Sequence, residues 1–325
     1  MSVYIHALGV GIPERRVSNE ELSGMVDTTD EWIRLHTGIG FRHIAPDGTL
    51  TSDLATIAAK KALEKAGVDA KDLDYILVAT ATPDYFGFPS TACIVQENLG
   101  ATGCPAFDLT AGCTGFIYAL NVASSLLENN HGRHALVIGA ETLSRITNWE
   151  DRATCVVFGD GAGAAVLTRA DAVESRLLLS ILGADGGGAD ALRLIQTERS
   201  RTFRNFDPIT SMVEMDGRRI YLFAVQMIPV LVKRLLANSG KELVDFSWII
   251  PHQANARIIQ AAAKRLGIAE EKFYLNIEEY ANTSSASIPI ALNEMDEKGL
   301  LKRGDLLMLL GFGAGLTYGG AVVRW

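Results

Sequence analysis

With 325 residues, 38 acidic against 30 basic side chains and a formal charge of −8, the chain lacks the basic excess of a nucleic-acid-binding surface. Nearly half of it is hydrophobic (48%), enough for a large core, yet no run approaches the roughly 20 uninterrupted apolar residues of a membrane span. The four cysteines, Cys93, Cys104, Cys113 and Cys155, show neither CxxC nor metal-site spacing, which points to a reducing, cytoplasmic setting.

The N-terminus has no basic region ahead of a long apolar one, so it reads as a first strand over residues 3–11 and not as a signal peptide. Asn19, ahead of Glu20 and Glu21, is placed to cap a short helix, and Thr28-Thr29-Asp30 opens another that closes near Gly38. Trp32 in that helix, flanked by Arg34, His36 and Arg42, is either plain packing or a stacking platform for a base. Thr51-Ser52-Asp53 caps a helix ended by Gly67, and residues 73–79 form a β-branched strand. Residues 83–90, with Tyr85, Phe86 and Phe88, form a loop before a helix over 91–99 that ends at Gly100.

The organising stretch is Phe107 to Phe116: a short strand, small residues, Cys113, then apolar residues at helical spacing. A thiol at such a junction faces free N–H groups and the positive end of the helix dipole, which are expected to lower its pKa. The plain alternative is a buried, inert core cysteine. A strand over 134–139, a loop with Arg152, and a run from Cys155 to Leu167 follow. Gly159, Gly161 and Gly163 in that run have β-type residues on both sides. A dinucleotide site needs its glycines to open a helix after a strand, so a glycine-tight hairpin is expected here. Residues 177–182 read as a strand, 191–215 as an irregular arginine-rich insertion, and a long helix runs from Ile220.

The chain then repeats itself. Helix, Gly240 and strand 246–250 mirror helix, Gly67 and strand 73–78; helix 256–266 with Gly267 mirrors 91–99 with Gly100. A strand over 273–277 answers 106–109, strand 306–310 with Gly311 answers 136–138 with Gly139, and 320–325 answers 164–167. Gly139 and Gly311 are 172 positions apart, Leu99 and Leu266 167. A repeat of this length, mixed α/β in each copy, predicts two pseudo-symmetric halves, residues 1–170 and 171–325, with matching strand ends side by side. Cys113 ends a strand of the first half. The opposing ends carry Pro251-His252-Gln253-Ala254-Asn255 and Tyr280-Ala281-Asn282-Thr283-Ser284. Alone, His252 reads as a satisfied strand-end histidine and Asn282 as a turn residue; facing a cysteine, they read as a catalytic set. Gly311-Phe312-Gly313-Ala314-Gly315 is expected to be a tight turn able to aim a backbone N–H at a carbonyl oxygen.

These motifs, with Asp30-Glu31-Trp32-Ile33 and Phe158-Gly159-Asp160-Gly161-Ala162-Gly163, resemble the β-ketoacyl-acyl carrier protein synthase III family over the whole length. Thiolases use a second cysteine and elongating synthases a second histidine where this chain has Asn282. The resemblance implies a thiolase-like, layered αβαβα fold and a cytoplasmic homodimer. It implies that Cys113 takes an acyl group from a coenzyme A primer, and that malonyl-acyl carrier protein is then decarboxylated and condensed with it. His252 and Asn282 would stabilise the enolate, and the N–H groups of Cys113 and Ala314 would form the oxyanion hole. Coenzyme A is then a substrate, and no cofactor or metal is implied. Further implied are Trp32 and Arg152 around the adenine, Phe88 (across a dimer interface) and Met215 at the primer pocket, and Asn255 on the pantetheine arm. Arg257, Lys264 and Arg265 would form a basic patch for the carrier; the plain alternative is a solvated helix face. The chain departs from the family at His36 and Leu222, where arginine and lysine are frequent, and at Gly112 and Ala314, where alanine and glycine are. Rival readings are a condensing or acyl-transferring relative of secondary metabolism, a non-catalytic partner subunit, and a hydrolase.

Overall fold

The computed structural model describes residues 2–129, 132–171, 174–196 and 211–325. Two sheets of equivalent topology form its centre. In the first, the strands Ser2–Gly11, Gly161–Ala170, His134–Glu141, Tyr75–Ala79 and Ala106–Leu109 lie side by side in that order. In the second, the order is Arg176–Ala184, Thr317–Arg324, Leu306–Gly313 and Trp248–Pro251. The strand senses match too: in each series the first two pairings are antiparallel and the third is parallel.

The helices Gly115–Asn129 and Ser287–Glu297, one from each half, lie between the sheets. Phe116, Leu120, Ile288 and Leu292 share one core with Leu77, Val137, Leu307 and Leu309. A helix covered by two sheets has no wide solvent face, which is why Gly115–Asn129 is apolar around most of its circumference. Each fully buried Phe or Leu there contributes about 1.5–3 kcal/mol relative to exposure. Thr51–Ala66 and Thr91–Leu99 cover the outer face of the first sheet, and Gly217–Ser239 and Ala256–Leu266 that of the second. The layers therefore run helix, sheet, helix, sheet, helix, a mixed α/β fold of two pseudo-symmetric halves. Gly100 and Gly267, at equivalent helix ends, adopt φ of +69° and +65°, the left-handed region that favours glycine.

The helix Gly217–Ser239 is long and apolar enough by composition to cross a bilayer. Its stripe Ala224, Ile228, Leu231 and Leu235 is buried against the second sheet.

Several local expectations are corrected. Ser18, not Asn19, caps the first helix: Asn19 is fully buried, donating to Asp30 and Ile39 and accepting from Arg42. Thr51 is the first helical residue and not a cap, because its hydroxyl is committed to Thr82 O at 2.5 Å; Asp53 instead accepts from Leu50 N–H. The strand expected over 273–277 shrinks to one bridge between Ile249 and Phe273. There the Asn276 N–H turns to the Gln253 side chain, and Ile277–Tyr280 is a turn of helix. Arg152 opens a one-turn helix, Arg152–Cys155, capped by Asp151. Gly161 and Gly163 lie within the strand Gly161–Ala170, not in a hairpin. A Cβ on Gly163 would fall 2.7 Å from Pro289 Cβ, so this glycine lets the interlayer helix approach the sheet. Gly311 and Gly313 likewise belong to a strand, and the turn starts at Ala314. Within the stretch read as irregular, Leu192–Gln196 and Ser211–Met215 pair as an antiparallel ribbon, Leu194 opposite Val213; residues 197–210 lie outside the described residues.

Candidate active site

Cys113 occupies the 3-10 turn Gly112–Thr114, directly before the interlayer helix, and is 7% exposed. The helix N-terminus is where the sequence placed it, but the expected depression of its pKa does not hold. Burial pushes the thiol up to about 11, against opposing hydrogen bonds from the Ser284 hydroxyl and the backbone N–H groups of Ala314 and Cys113 itself. Desolvation outweighs the dipole because Cys113 is almost wholly buried. Those two N–H groups lie close to the sulfur. Gly313 makes room for this: a Cβ there would sit 2.7 Å from Cys113 Cβ and 3.0 Å from Sγ.

His252 follows the strand Trp248–Pro251 and is 1% exposed. Its Nδ1 is 2.7 Å from Ser287 Oγ, which also accepts from Gln253 N–H at 3.4 Å. When the Ser287 hydroxyl donates to Nδ1, the imidazole proton sits on Nε2. Burial alone pulls the His252 pKa down to about 3, so the ring is a neutral donor. Phe312 packs against it at 5.4 Å between ring centroids.

Asn282 is held by its backbone to the opposite half: its N–H donates to Val157 O at 3.0 Å, and its own carbonyl accepts from Gly159 N–H at 3.1 Å. Its side-chain Oδ1 accepts from Ser284 N–H at 2.8 Å, which turns the NH2 group away as a free donor. Ala281 before it adopts φ +55° and ψ −157°, a conformation that is otherwise almost confined to glycine.

Cys113, His252 and Asn282 line one cavity of about 90 Å³, together with Asn255, Met215 and Phe312. A second cavity of about 100 Å³ also reaches Cys113 and is lined by Leu143, Ile146, Arg193, Leu194, Val213 and Ala314. Phe158 borders both. Cys113 thus borders two chambers, one carrying the side chains of His252 and Asn282 and the other lined mostly by apolar residues.

Of the other singled-out residues, Trp32, Arg152, Phe88, Arg257, Lys264 and Arg265 line neither chamber. The Arg152 guanidinium lies 4.9 Å from the centre of the Trp32 ring and donates to Asp27 O, while His36 stacks on Trp32 at 4.3 Å. Asn255 lines the first cavity but also caps the helix Ala256–Leu266 and donates to His36 O at 3.0 Å, tying the tryptophan to the site. Phe88 is 90% exposed and reaches neither cavity of its own chain. Arg257, Lys264 and Arg265 are exposed along the helix Ala256–Leu266. A larger cavity of about 660 Å³, between Arg15, Glu21, Asp47, Arg145 and Trp149, contains none of the residues assigned a catalytic or binding role from the sequence.

Sequence reasoning missed Ser287 and Glu141, and took Ser284 only as part of the motif around Asn282. Serines at turns carry no distinguishing signal; Glu141 does, as an acid closing a strand whose every residue is buried.

Comparison with known proteins gives concordant results. A family model described as 3-oxoacyl-[acyl-carrier-protein (ACP)] synthase III matches residues 107–186, and one for the C-terminal part of the same family matches residues 236–325. The chain is 48% identical over 332 residues to a β-ketoacyl-[acyl-carrier-protein] synthase III of Clostridium tetani, covering 99% of this chain and 98% of the relative. Among solved structures it is similar to the 3-oxoacyl-[acyl-carrier-protein] synthase III of Aquifex aeolicus (TM-score 0.92, 43% identity, 99% of this chain and 100% of that one). The corresponding protein of Pseudomonas aeruginosa superposes equally well (TM-score 0.92, 39% identity, 100% and 98%).

Proposed function

The chain belongs to the 3-oxoacyl-[acyl-carrier-protein] synthase III family, condensing acyltransferases that initiate fatty-acid synthesis, and we propose that it works through Cys113, His252 and Asn282 on a coenzyme A-bound primer and malonyl-acyl carrier protein. The observation that carries this reading is the convergence of the three side chains on one cavity from opposite halves of the fold.

In the first half-reaction the sulfur of Cys113 attacks the primer carbonyl, the bond to the coenzyme A sulfur breaks, and the thiol proton ends on the departing thiol. The N–H groups of Cys113 and Ala314 stabilise the intermediate oxyanion, and the acyl chain enters the second, mostly apolar cavity. In the second, malonyl thioester loses CO2 and the electron pair moves into an enolate. His252 Nε2–H and the Asn282 NH2 donate to its oxygen, which gains charge only as the bond breaks. The enolate carbon attacks acyl-Cys113, the C–S bond breaks, and the sulfur takes up one proton. Because decarboxylation makes the nucleophile, no base has to remove a carbon-bound proton, which suits a histidine held neutral and an amide.

Trp32, His36 and Arg152 supply a stacking and cationic surface for the nucleotide end of coenzyme A, and Asn255 and Met215 border the path to the thiol. The basic residues Arg257, Lys264 and Arg265 face an acidic carrier. A homodimer is supported by Ala106–Leu109, an edge strand of the first sheet, and by the exposed Tyr85, Phe86, Phe88 and Phe107. In such a dimer Phe88 would close the partner's primer cavity. The setting is cytoplasmic, where both thioesters and reduced thiols are available.

The test is product analysis with a short acyl-coenzyme A and malonyl-acyl carrier protein. This reading expects 3-oxoacyl carrier, CO2 and free coenzyme A, none of them with Cys113→Ser. Release of free acid without need for malonyl carrier would point to a hydrolase instead.

A further inference from the structure

Glu141 closes the strand His134–Glu141 fully buried, and among the described residues no lysine or arginine pairs with it. Its partners are neutral: Ala81 N–H at 3.0 Å and the Thr82 hydroxyl at 2.8 Å to Oε2, and Ser285 Oγ at 2.8 Å from Oε1. Cys113 is the ionisable side chain set against it; the other neighbours are hydroxyls and a peptide N–H.

A count of protons points to its state. Ser285 Oγ lies 2.8 Å from Ala79 O and 2.8 Å from Glu141 Oε1, and a hydroxyl carries a single proton. The Ala79 carbonyl has none to give. Both contacts are hydrogen bonds only when Ser285 donates to Ala79 and the carboxyl of Glu141 donates to Ser285. Burial acts in the same direction, raising the pKa of Glu141.

The next residue along the chain makes this relevant to the reaction. Ser284 adopts φ +48°, strained for a residue with a side chain. Its N–H holds Asn282 Oδ1, and its hydroxyl lies against both the Cys113 sulfur and the Glu141 carboxyl. We propose that Glu141 is a positioning residue for the condensation step, present as the un-ionised acid, whose bond to Ser285 locks the Ser284 turn that orients the Asn282 amide and faces the Cys113 sulfur. An ionised carboxylate at this depth would oppose every anion formed at the site; the neutral acid holds the turn without that repulsion.

This rests on the assignment of Cys113 and Asn282 to catalysis, but the first arm of its test does not. Difference infrared spectra of the native enzyme against Glu141→Gln at neutral pH are expected to show the C=O stretch of a protonated carboxyl, lost on substitution. Carboxylate bands in its place overturn the proposal. The second arm follows the two half-reactions separately. Glu141→Ala slows discharge of acyl-Cys113 by malonyl carrier about 100-fold and loading from acyl-coenzyme A much less, and Glu141→Gln, which keeps a neutral donor for Ser285, restores discharge to within about threefold. Equal losses in the two half-reactions, or unimpaired discharge by Glu141→Ala, overturn it. Ser285→Ala gives the same selective loss should Glu141→Ala fail to fold.

Discussion

Asn282 Oδ1 accepts a hydrogen bond from Ser284 N–H at 2.8 Å, and this one contact decides which end of the amide meets a ligand. With the oxygen occupied, both Nδ2 protons are free for the cavity that Cys113 and His252 share. Asn282→Asp keeps the acceptor for Ser284 and removes the donors. It is expected to retain loading of Cys113 by acyl-coenzyme A and to lose discharge by malonyl carrier about 100- to 1,000-fold. Single-turnover measurement of each half-reaction checks this; equal loss in both would place Asn282 elsewhere in the mechanism.

Ala281 gives a stability prediction that runs opposite to the usual one. Its φ of +55° with ψ −157° costs on the order of 1–3 kcal/mol for a residue with a Cβ, more than the roughly 0.5–1 kcal/mol entropic cost of glycine. Ala281→Gly is therefore expected to stabilise the fold by about 1 kcal/mol, read as a higher denaturation midpoint in urea at unchanged slope. A lower midpoint would contradict the strain assigned here.

His252 predicts a pH dependence. Burial holds its pKa down to about 3 from the ordinary 6.5, so between these values the unfolded chain binds a proton that the folded site refuses. The stability this contributes is present above pH 6.5 and is lost as pH falls towards 3. Thermal unfolding between pH 6.5 and 4.5 should show a steeper fall in Tm for the native protein than for His252→Gln. Parallel curves would mean that the ring is protonated when folded.

The two halves were legible because the signal is long-range and redundant, whereas the layer order came from the family resemblance. A repeat of glycine-ended helices and apolar strands predicts which strand ends oppose; Cys113 and His252 follow such ends, while Asn282 follows a turn of helix. What escaped depends on atoms rather than patterns. The thiol pKa depends on how completely the second half buries Cys113, and sequence shows only the helix dipole. Asn19 reads as a cap until Arg42 and Asp30 claim its side chain. The strand over 273–277 fails because Gln253, far along the chain, captures the Asn276 N–H. Ser284, Ser287 and Glu141 act by where their protons point.

The exposed cations of the helix Ala256–Leu266 predict a split in kinetic constants. Reversing charge at Arg257 and Lys264 together (Arg257→Glu, Lys264→Glu) should raise KM for malonyl-acyl carrier protein at least about tenfold, less so at high salt, with KM for acyl-coenzyme A changed by under about twofold. A rise in the coenzyme A constant alone would move the patch to the other substrate.

The claim that Cys113 carries the acyl group between two substrates is tested most directly by intact-protein mass spectrometry. The protein is incubated with a panel of acyl-coenzyme A thioesters and then with malonyl-acyl carrier protein, beside Cys113→Ser. The account predicts one acyl mass added per chain, absent from Cys113→Ser and removed on adding malonyl carrier as 3-oxoacyl carrier forms. A 3-oxoacyl product without an acyl-enzyme, or an adduct that persists in Cys113→Ser, would contradict it.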